Sequence, residues 1–275
     1  MQDLKGAVAV VTGGASGIGF AMAERFAREG AKIVIADIEQ QALDRAVVKL
    51  EEAGADATGV VCDVSKLDSV QALLDATLAA YGKVNILCNN AGIQVAGPTW
   101  QMTPGQWEWI LGVNLWGVIH GVQVFVPRML EQGDACHIVN TSSMSGLLSV
   151  PMMSAYQVTK HAVVTLSETL SQELEQQSGK IGVSVLCPAF VQTNLHEAER
   201  NRPDELKDQG TITADLENVL RSSVKQLVTG GKPAPVIADA VLGAIQNGEL
   251  YVLTHPELMG AFKHRADAIL AAAKS

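Results

Sequence analysis

Six short apolar runs rich in β-branched residues, AVAVVT, KIVIAD, ATGVVC, VNILCNN, HIVNTSS and IGVSVLCP, alternate with longer amphipathic stretches along the first two thirds of the chain. Short, nearly continuous apolar runs suit strands buried on both faces, and a chain that returns between them through helices builds a parallel sheet with helices on both sides. The helical stretches fall at about 17–29, 40–53, 66–81, 104–131 and 155–177, and a seventh run, LYVLT at 250–254, is placed to close the sheet. The pattern fails from 194 to 235, where polar and charged residues leave only short helical hints, such as 216–228. A strandless insertion of that length in a compact domain is expected to be a substrate lid or mobile loop. The 275 residues, 48% of them apolar, suffice for one large α/β domain, and no internal repeat marks a second.

Composition narrows the function classes. A formal net charge of −9 without a basic run argues against nucleic acid and against a polybasic membrane surface. The N-terminal MQDLKGAVAVVTGG has too short an apolar run for a signal-peptide core, and no run of 18 apolar residues occurs, so a soluble, cytoplasmic protein is expected. Cys62, Cys88, Cys136 and Cys187 each sit at or near the end of an apolar run, where a thiol behaves as a small hydrophobe. Neither Cys-x-x-Cys nor His-x-x-x-His spacing is present, so no metal is expected.

The first apolar run leads directly into TGGASGIGF at 12–20, and a helical pattern follows. Glycines between a strand and a helix let backbone N–H groups approach a pyrophosphate; the spacing Gly13, Gly17, Gly19 also fits a plain tight turn. Asp37 ends the second run 18 residues after Gly19, where a carboxylate can accept hydrogen bonds from an adenosine ribose diol; it could equally cap the next helix. That carboxylate would repel a 2′-phosphate, and Ala15, Ser16, Ile38 and Glu39 supply no cation to receive one, so the cofactor expected is NAD rather than NADP.

The stretch SAYQVTK, 154–160, places a phenol and an ammonium one helical turn apart. Ser154 with Gln157 reads as a capping box that starts a helix near Ala155 and leaves Tyr156 in its first turn. There the helix dipole and Lys160 would both lower the phenol pKa, although an exposed Tyr beside a solvated Lys fits the same letters. Asn114 lies within the apolar stripe Trp107, Ile110, Leu111, Leu115, Val118, Val122 and Phe125, so its amide needs buried partners.

Together these motifs resemble the short-chain dehydrogenase/reductase family over about 5–193, more weakly through 254. The resemblance implies a Rossmann-like, doubly wound α/β fold. TGGASGIG is similar to the family's cofactor loop, bringing in Ser16 and Ile18 with the glycines, and CDV at 62–64 implies adenine contacts by Asp63 and Val64. NNAG at 89–92 carries Asn90 beside the cofactor, and CPAFVQT at 187–193 resembles the segment over the nicotinamide, with Pro188, Val191 and Thr193. Asn114, Ser143 (thirteen residues before the tyrosine), Tyr156 and Lys160 match the catalytic set. Tyr156 would then be the acid/base, with Lys160 lowering its pKa and holding the nicotinamide ribose. Ser143 would bond the substrate oxygen, and Asn114 would bond a strand backbone or position a water toward Lys160. The chain departs from the family at Ala189, where glycine is common, and at the C-terminus, where HPELMGAFKHRADAILAAAKS replaces the usual Asp-Gly-Gly ending.

By the same analogy, Val95, Ser145, Met152, Met153 and Phe190 would wall the substrate pocket together with neutral or apolar neighbours. Without an Arg or Lys among them, a neutral, bulky or aromatic secondary alcohol or ketone is expected. A reductase of acyl-carrier substrates and a catalytically silent nucleotide-sensing protein are the alternatives. The first fits poorly with a charge of −9, and the second has no use for the intact Asn114, Ser143, Tyr156 and Lys160. The long helices carrying Asn114 and Tyr156 resemble the family's dimer-forming pair, which implies a homodimer or homotetramer.

Overall fold

A computed structural model describes residues 1–207 and 214–273. In chain order its strands and helices are β1 Val8–Thr12, α1 Gly17–Arg28, β2 Lys32–Asp37, α2 Gln40–Glu52, β3 Ala57–Val61, α3 Leu67–Tyr81, β4 Ile86–Asn89, α4 Pro104–Leu111, α5 Gly117–Gln132 and β5 Cys136–Thr141, followed by α6 Ser154–Gln177, β6 Ile181–Cys187, α7 Ala214–Thr229, α8 Ala234–Asn247, β7 Tyr251–Leu253 and α9 Met259–Ala272. Among the described residues the strands form one parallel sheet in the order β3-β2-β1-β4-β5-β6-β7. The chain reverses its direction of travel across the sheet between β1 and β4. A crevice opens beyond the carboxyl ends of strands at such a switch point.

Period-two alternation in the strands explains the two helical layers. On β1 and β2, Ala9, Val11, Ile33 and Ile35 face a core built with Met22 and Phe26 of α1, Leu43 of α2 and Ile237, Val241 and Ile245 of α8. Their neighbours Val8, Val10, Val34 and Ala36 face the opposite layer, with Leu73 of α3, Phe125 and Met129 of α5 and Leu170 of α6. The central strands therefore bury both faces. All four cysteines are buried free thiols.

The expected 104–131 helix is broken by a π-helical turn at Gly112–Trp116. This turn holds Asn114, and a one-residue bulge of this kind re-aims a side chain that a regular helix would place elsewhere. The continuous stretch Pro104–Gln132 is long and apolar enough, by length and composition, to cross a membrane. In this fold Val124, Phe125 and Met129 from it pack in the core instead.

A capping box does occur in the chain, but at the start of α4. Thr103 Oγ1 accepts from Gln106 N at 3.2 Å while Gln106 Oε1 accepts from Thr103 N at 2.9 Å. The box expected at Ser154 is not formed: Met153 caps α6 without a side-chain bond, and Ser154 is already helical. Gln157 instead turns its side-chain amide to the Val150 backbone, its terminal atoms lying 3.1 and 2.7 Å from Val150 O and N. Tyr156 nonetheless stays in the first turn.

Within 194–235, the described residues form 3-10 turns at Leu195–Asn201 and Asp204–Leu206 and the helix α7. The part of the expected lid at 208–213 lies outside the described residues.

Candidate active site

One cleft runs over the carboxyl ends of the strands from Asp37 and Asp63 to Tyr156 and Lys160, crossing the glycine loop midway. The glycines are required there. Gly13 and Gly17 have φ of +61° and +55°. A Cβ on Gly13 would sit 2.9 Å from Ala91 Cα, and one on Gly19 would sit 2.2 Å from the Gly13 oxygen. Asn90 fastens this loop: its Nδ2 donates to Thr12 O at 3.0 Å, its backbone N–H donates to Thr12 Oγ1 at 2.9 Å, and its Oδ1 accepts from Thr141 Oγ1 at 3.3 Å. Ser16 precedes α1 as its N-cap residue, and Ile18 and Thr193 line the cleft beside it.

Asp37 does not cap α2, since Glu39 occupies that position. The Asp37 carboxylate instead accepts long bonds from Ala15 N and Glu39 N, both at 3.2 Å, and its burial raises its pKa. A carboxylate so weakly satisfied has capacity left for hydroxyl donors. Asp63 accepts from Ser65 Oγ at 2.7 Å, while the Val64 carbonyl receives His120 Nδ1 of α5 at 2.9 Å.

At the other end of the cleft stand the four expected catalytic residues. Asn114 is fully buried: its Oδ1 accepts from Ile93 N at 2.8 Å, and its Nδ2 donates to Ile93 O at 2.9 Å and to Thr159 Oγ1 at 3.3 Å. The amide thus serves the backbone just past β4. Lys160, 3% exposed, donates from Nζ to Thr141 O at 2.9 Å and lies 5.5 Å from the Tyr156 ring centroid. Ser143 Oγ donates to Pro188 O at 3.1 Å and accepts from Ser145 N at 3.1 Å.

The electrostatics differ from the sequence expectation. Burial pushes the Tyr156 phenol up to about 12, against a smaller lowering by its hydrogen bond with Ser143. Burial also holds the Lys160 amine down, to about 8. The protein's own groups therefore keep the phenol protonated at neutral pH, with desolvation by burial the largest influence.

The substrate end is walled by Ile93, Trp109, Val113, Leu195, Ala198 and Pro203. Val95 and Met153 lie in the apolar cluster around Tyr156 without lining the cleft. Ser145 lies next to Ser143, Phe190 is 43% exposed, and Met152 carries the one positive φ of a non-glycine residue among those described, +67°. Sequence reasoning missed Trp109, Ala198 and Arg200 as cleft residues. Arg200 lines the cleft beside Glu39, and its Nη2 and Nε lie 2.6 and 3.0 Å from Glu39 Oε1; Asn201 Nδ2 donates to the same oxygen at 2.8 Å. No local signal pairs residues 161 positions apart.

A doubly wound sheet with a glycine-cradled cleft ending on a buried Tyr, Lys and Ser defines a nucleotide-dependent oxidoreductase. The family model described as short chain dehydrogenase matches residues 7–204, and the chain belongs to that family. It is an oxidoreductase of alcohol or ketone groups. Among its relatives, the CLA biosynthesis dehydrogenase/reductase of Lactiplantibacillus plantarum is 34% identical, over 98% of this chain and 95% of the relative. The C alpha-dehydrogenase of Sphingobium sp. strain SYK-6 is 35% identical, over 98% and 87%. The crystal structure of a short chain dehydrogenase/reductase from Burkholderia phymatum in complex with NAD superposes with a TM-score of 0.96 at 44% identity, covering 99% of this chain and 97% of that one.

Proposed function

We propose that this protein is an NAD-dependent dehydrogenase of neutral, bulky or aromatic secondary alcohols, with Tyr156 as the acid/base. The observation that carries the reading is the placement of the Tyr156 phenol beside Ser143 in a pocket of apolar side chains that includes Ile93, Trp109 and Ala198. Among the described cleft-lining residues, no cation stands free to bind a substrate carboxylate or phosphate: Lys160 is committed to Thr141 O, and Arg200 is paired with Glu39 at the opposite end. NAD fits the opposite half, because Gly13 and Gly19 leave the space that a side chain would fill and Asp37 retains acceptor capacity. The NAD-bound relative from Burkholderia phymatum supports the same choice.

NAD supplies the hydride acceptor when bound. Around it, Tyr156 Oη takes the hydroxyl proton as the substrate is oxidised, and Ser143 turns its hydroxyl from Pro188 O to the same substrate oxygen, stabilising charge that develops there. Lys160 contributes positive charge beneath the phenol, which favours the phenolate form. The direct test mixes the purified protein with NAD and a panel of alcohols and follows NADH absorbance. Turnover of aryl and bulky alkyl secondary alcohols is expected. Activity confined to carboxylated or phosphorylated alcohols would rule out the neutral pocket.

We further propose that 194–235 acts as a lid. Its support is the contact of Arg200 and Asn201 with Glu39, which ties the first lid turn to the loop after β2 across the cleft mouth. The pair is about one-third exposed on each side and so contributes weakly, as a releasable latch must. Amide exchange over 195–207 and 214–229 is expected to slow when NADH binds, and Arg200→Ala is expected to speed it in the free protein. Strong, equal protection with and without NADH would mean a fixed structural insertion.

A further inference from the structure

The C-terminal segment that departs from the family pattern, beginning HPEL at 255–258, returns directly to the site. His255 is 5% exposed, and its Nδ1 lies 3.1 Å from the backbone nitrogen of Ala189. A backbone N–H can only donate, so Nδ1 must carry a lone pair, and the neutral imidazole then bears its proton on Nε2. Burial and the Lys232 ammonium hold the imidazole below its ordinary pKa range against the opposing Glu257, which keeps that acceptor free. The Thr254 hydroxyl lies 2.9 Å from the same nitrogen, and Lys232 Nζ fixes the preceding turn by donating to Thr254 O at 2.6 Å.

The peptide that His255 holds is the one that faces the catalytic serine. The carbonyl of the Pro188–Ala189 peptide accepts from Ser143 Oγ at 3.1 Å and from Met144 N at 2.8 Å. Its N–H donates to His255. One rigid planar unit therefore spans the imidazole and the serine hydroxyl, and a donor bond on its N–H side strengthens its carbonyl as an acceptor. Beyond Ala189 the loop is clasped again: Lys232 N donates to Phe190 O at 2.9 Å and Gln192 N donates to Lys232 O at 3.0 Å.

We infer that His255 is a positioning residue for the reaction, setting the Pro188–Ala189 peptide so that the loop meets the cofactor and the Ser143 hydroxyl is aimed. The inference rests on the proposed dehydrogenase reading for its catalytic half, and on the cleft geometry alone for its cofactor half. Removing the acceptor leaves the Ala189 N–H buried without its partner, a loss that corresponds to roughly tenfold in the affected constant.

The test compares His255→Leu, which keeps bulk and loses the acceptor, with His255→Asn, whose Oδ1 can stand where Nδ1 stood but which loses ring volume. Three readings are taken on the full chain: NADH affinity by fluorescence titration, kcat with NAD and 1-phenylethanol, and Tm. His255→Leu should weaken NADH binding and lower kcat by about tenfold each, with a modest fall in Tm from the unpartnered Ala189 N–H; His255→Asn should recover most of the NADH affinity and kcat while its Tm falls through the lost ring volume. Such a split cannot come from packing alone, since packing loss would make the asparagine variant worse on every reading. NADH affinity and kcat within twofold of the parent in the leucine variant, or an asparagine variant no better than leucine, would overturn the inference. If the leucine variant does not fold, His255→Phe replaces it. If the parent oxidises no alcohol, the dehydrogenase reading fails, and NADH affinity alone decides whether His255 positions the loop.

Discussion

Tyr156→Phe is expected to bind NADH nearly as the parent does while losing on the order of 10²-fold or more in turnover. The phenol is buried and the ring keeps its packing against Ile93, Trp109 and Ala155 in the variant, so only the proton-transferring oxygen is lost. Steady-state kcat with an active alcohol, beside an NADH titration, measures both arms. Turnover within a few fold of the parent would remove Tyr156 from the mechanism. The sign of the pH dependence follows from the same burial. With its protein neighbours alone the phenol sits at about 12, so its base form grows as pH rises, and alcohol oxidation by the parent should accelerate with pH. Lys160→Met should weaken cofactor binding and turnover together. A change in cofactor affinity alone would show that the ammonium, bonded to Thr141 O, does not tune the phenol.

Cofactor choice carries the second large effect. If the ribose bonds of Asp37 and its repulsion of a 2′-phosphate together amount to about 3 to 4 kcal/mol, NAD should be preferred over NADP by on the order of 10²- to 10³-fold in kcat/KM. Asp37→Ser is expected to lower efficiency with NAD and narrow the gap, and Ile38→Arg added to it should begin to favour NADP. The structure contributes a cation that the linear sequence does not place: Arg200 reaches the same rim, but both its Nε and Nη2 bonds there go to Glu39 Oε1. Glu39→Gln should release that guanidinium and raise NADP efficiency without touching Asp37. Measuring kcat/KM for both cofactors in all these forms at one ionic strength decides the matter, since the repulsion is partly screened by salt. A parent that uses both cofactors equally would show that Arg200 already serves the 2′ position.

Much of this was legible in the chain itself, and the reason is locality. Strand runs with β-branched residues on both faces, such as AVAVVT and KIVIAD, specify a doubly covered parallel sheet whatever packs on them. The glycine loop is legible because the left-handed backbone of Gly13 and Gly17 and the close approach of Gly19 to the Gly13 oxygen are demands of the turn itself. Tyr156 and Lys160 are legible because one helical turn fixes their relation. Asp37 is legible from its place at a strand end.

Tertiary structure alone decided whatever depends on partners distant in sequence. The helix at 104–131 reads as continuous, yet it holds a π turn whose Asn114 bonds the Ile93 backbone, 21 residues away. Ser154 and Gln157 have the letters of a capping box, but the Val150 backbone takes the glutamine instead. The Tyr156 pKa moves up rather than down because the helix dipole and Lys160 can be read from sequence, whereas the depth of burial that raises it cannot. Arg200 against Glu39 and His255 against Ala189 close over separations of 161 and 66 residues. Only the folded sheet, with its order reversed between β1 and β4, brings such residues to one crevice, because a period along the chain encodes which face is buried and not which distant side chain arrives there.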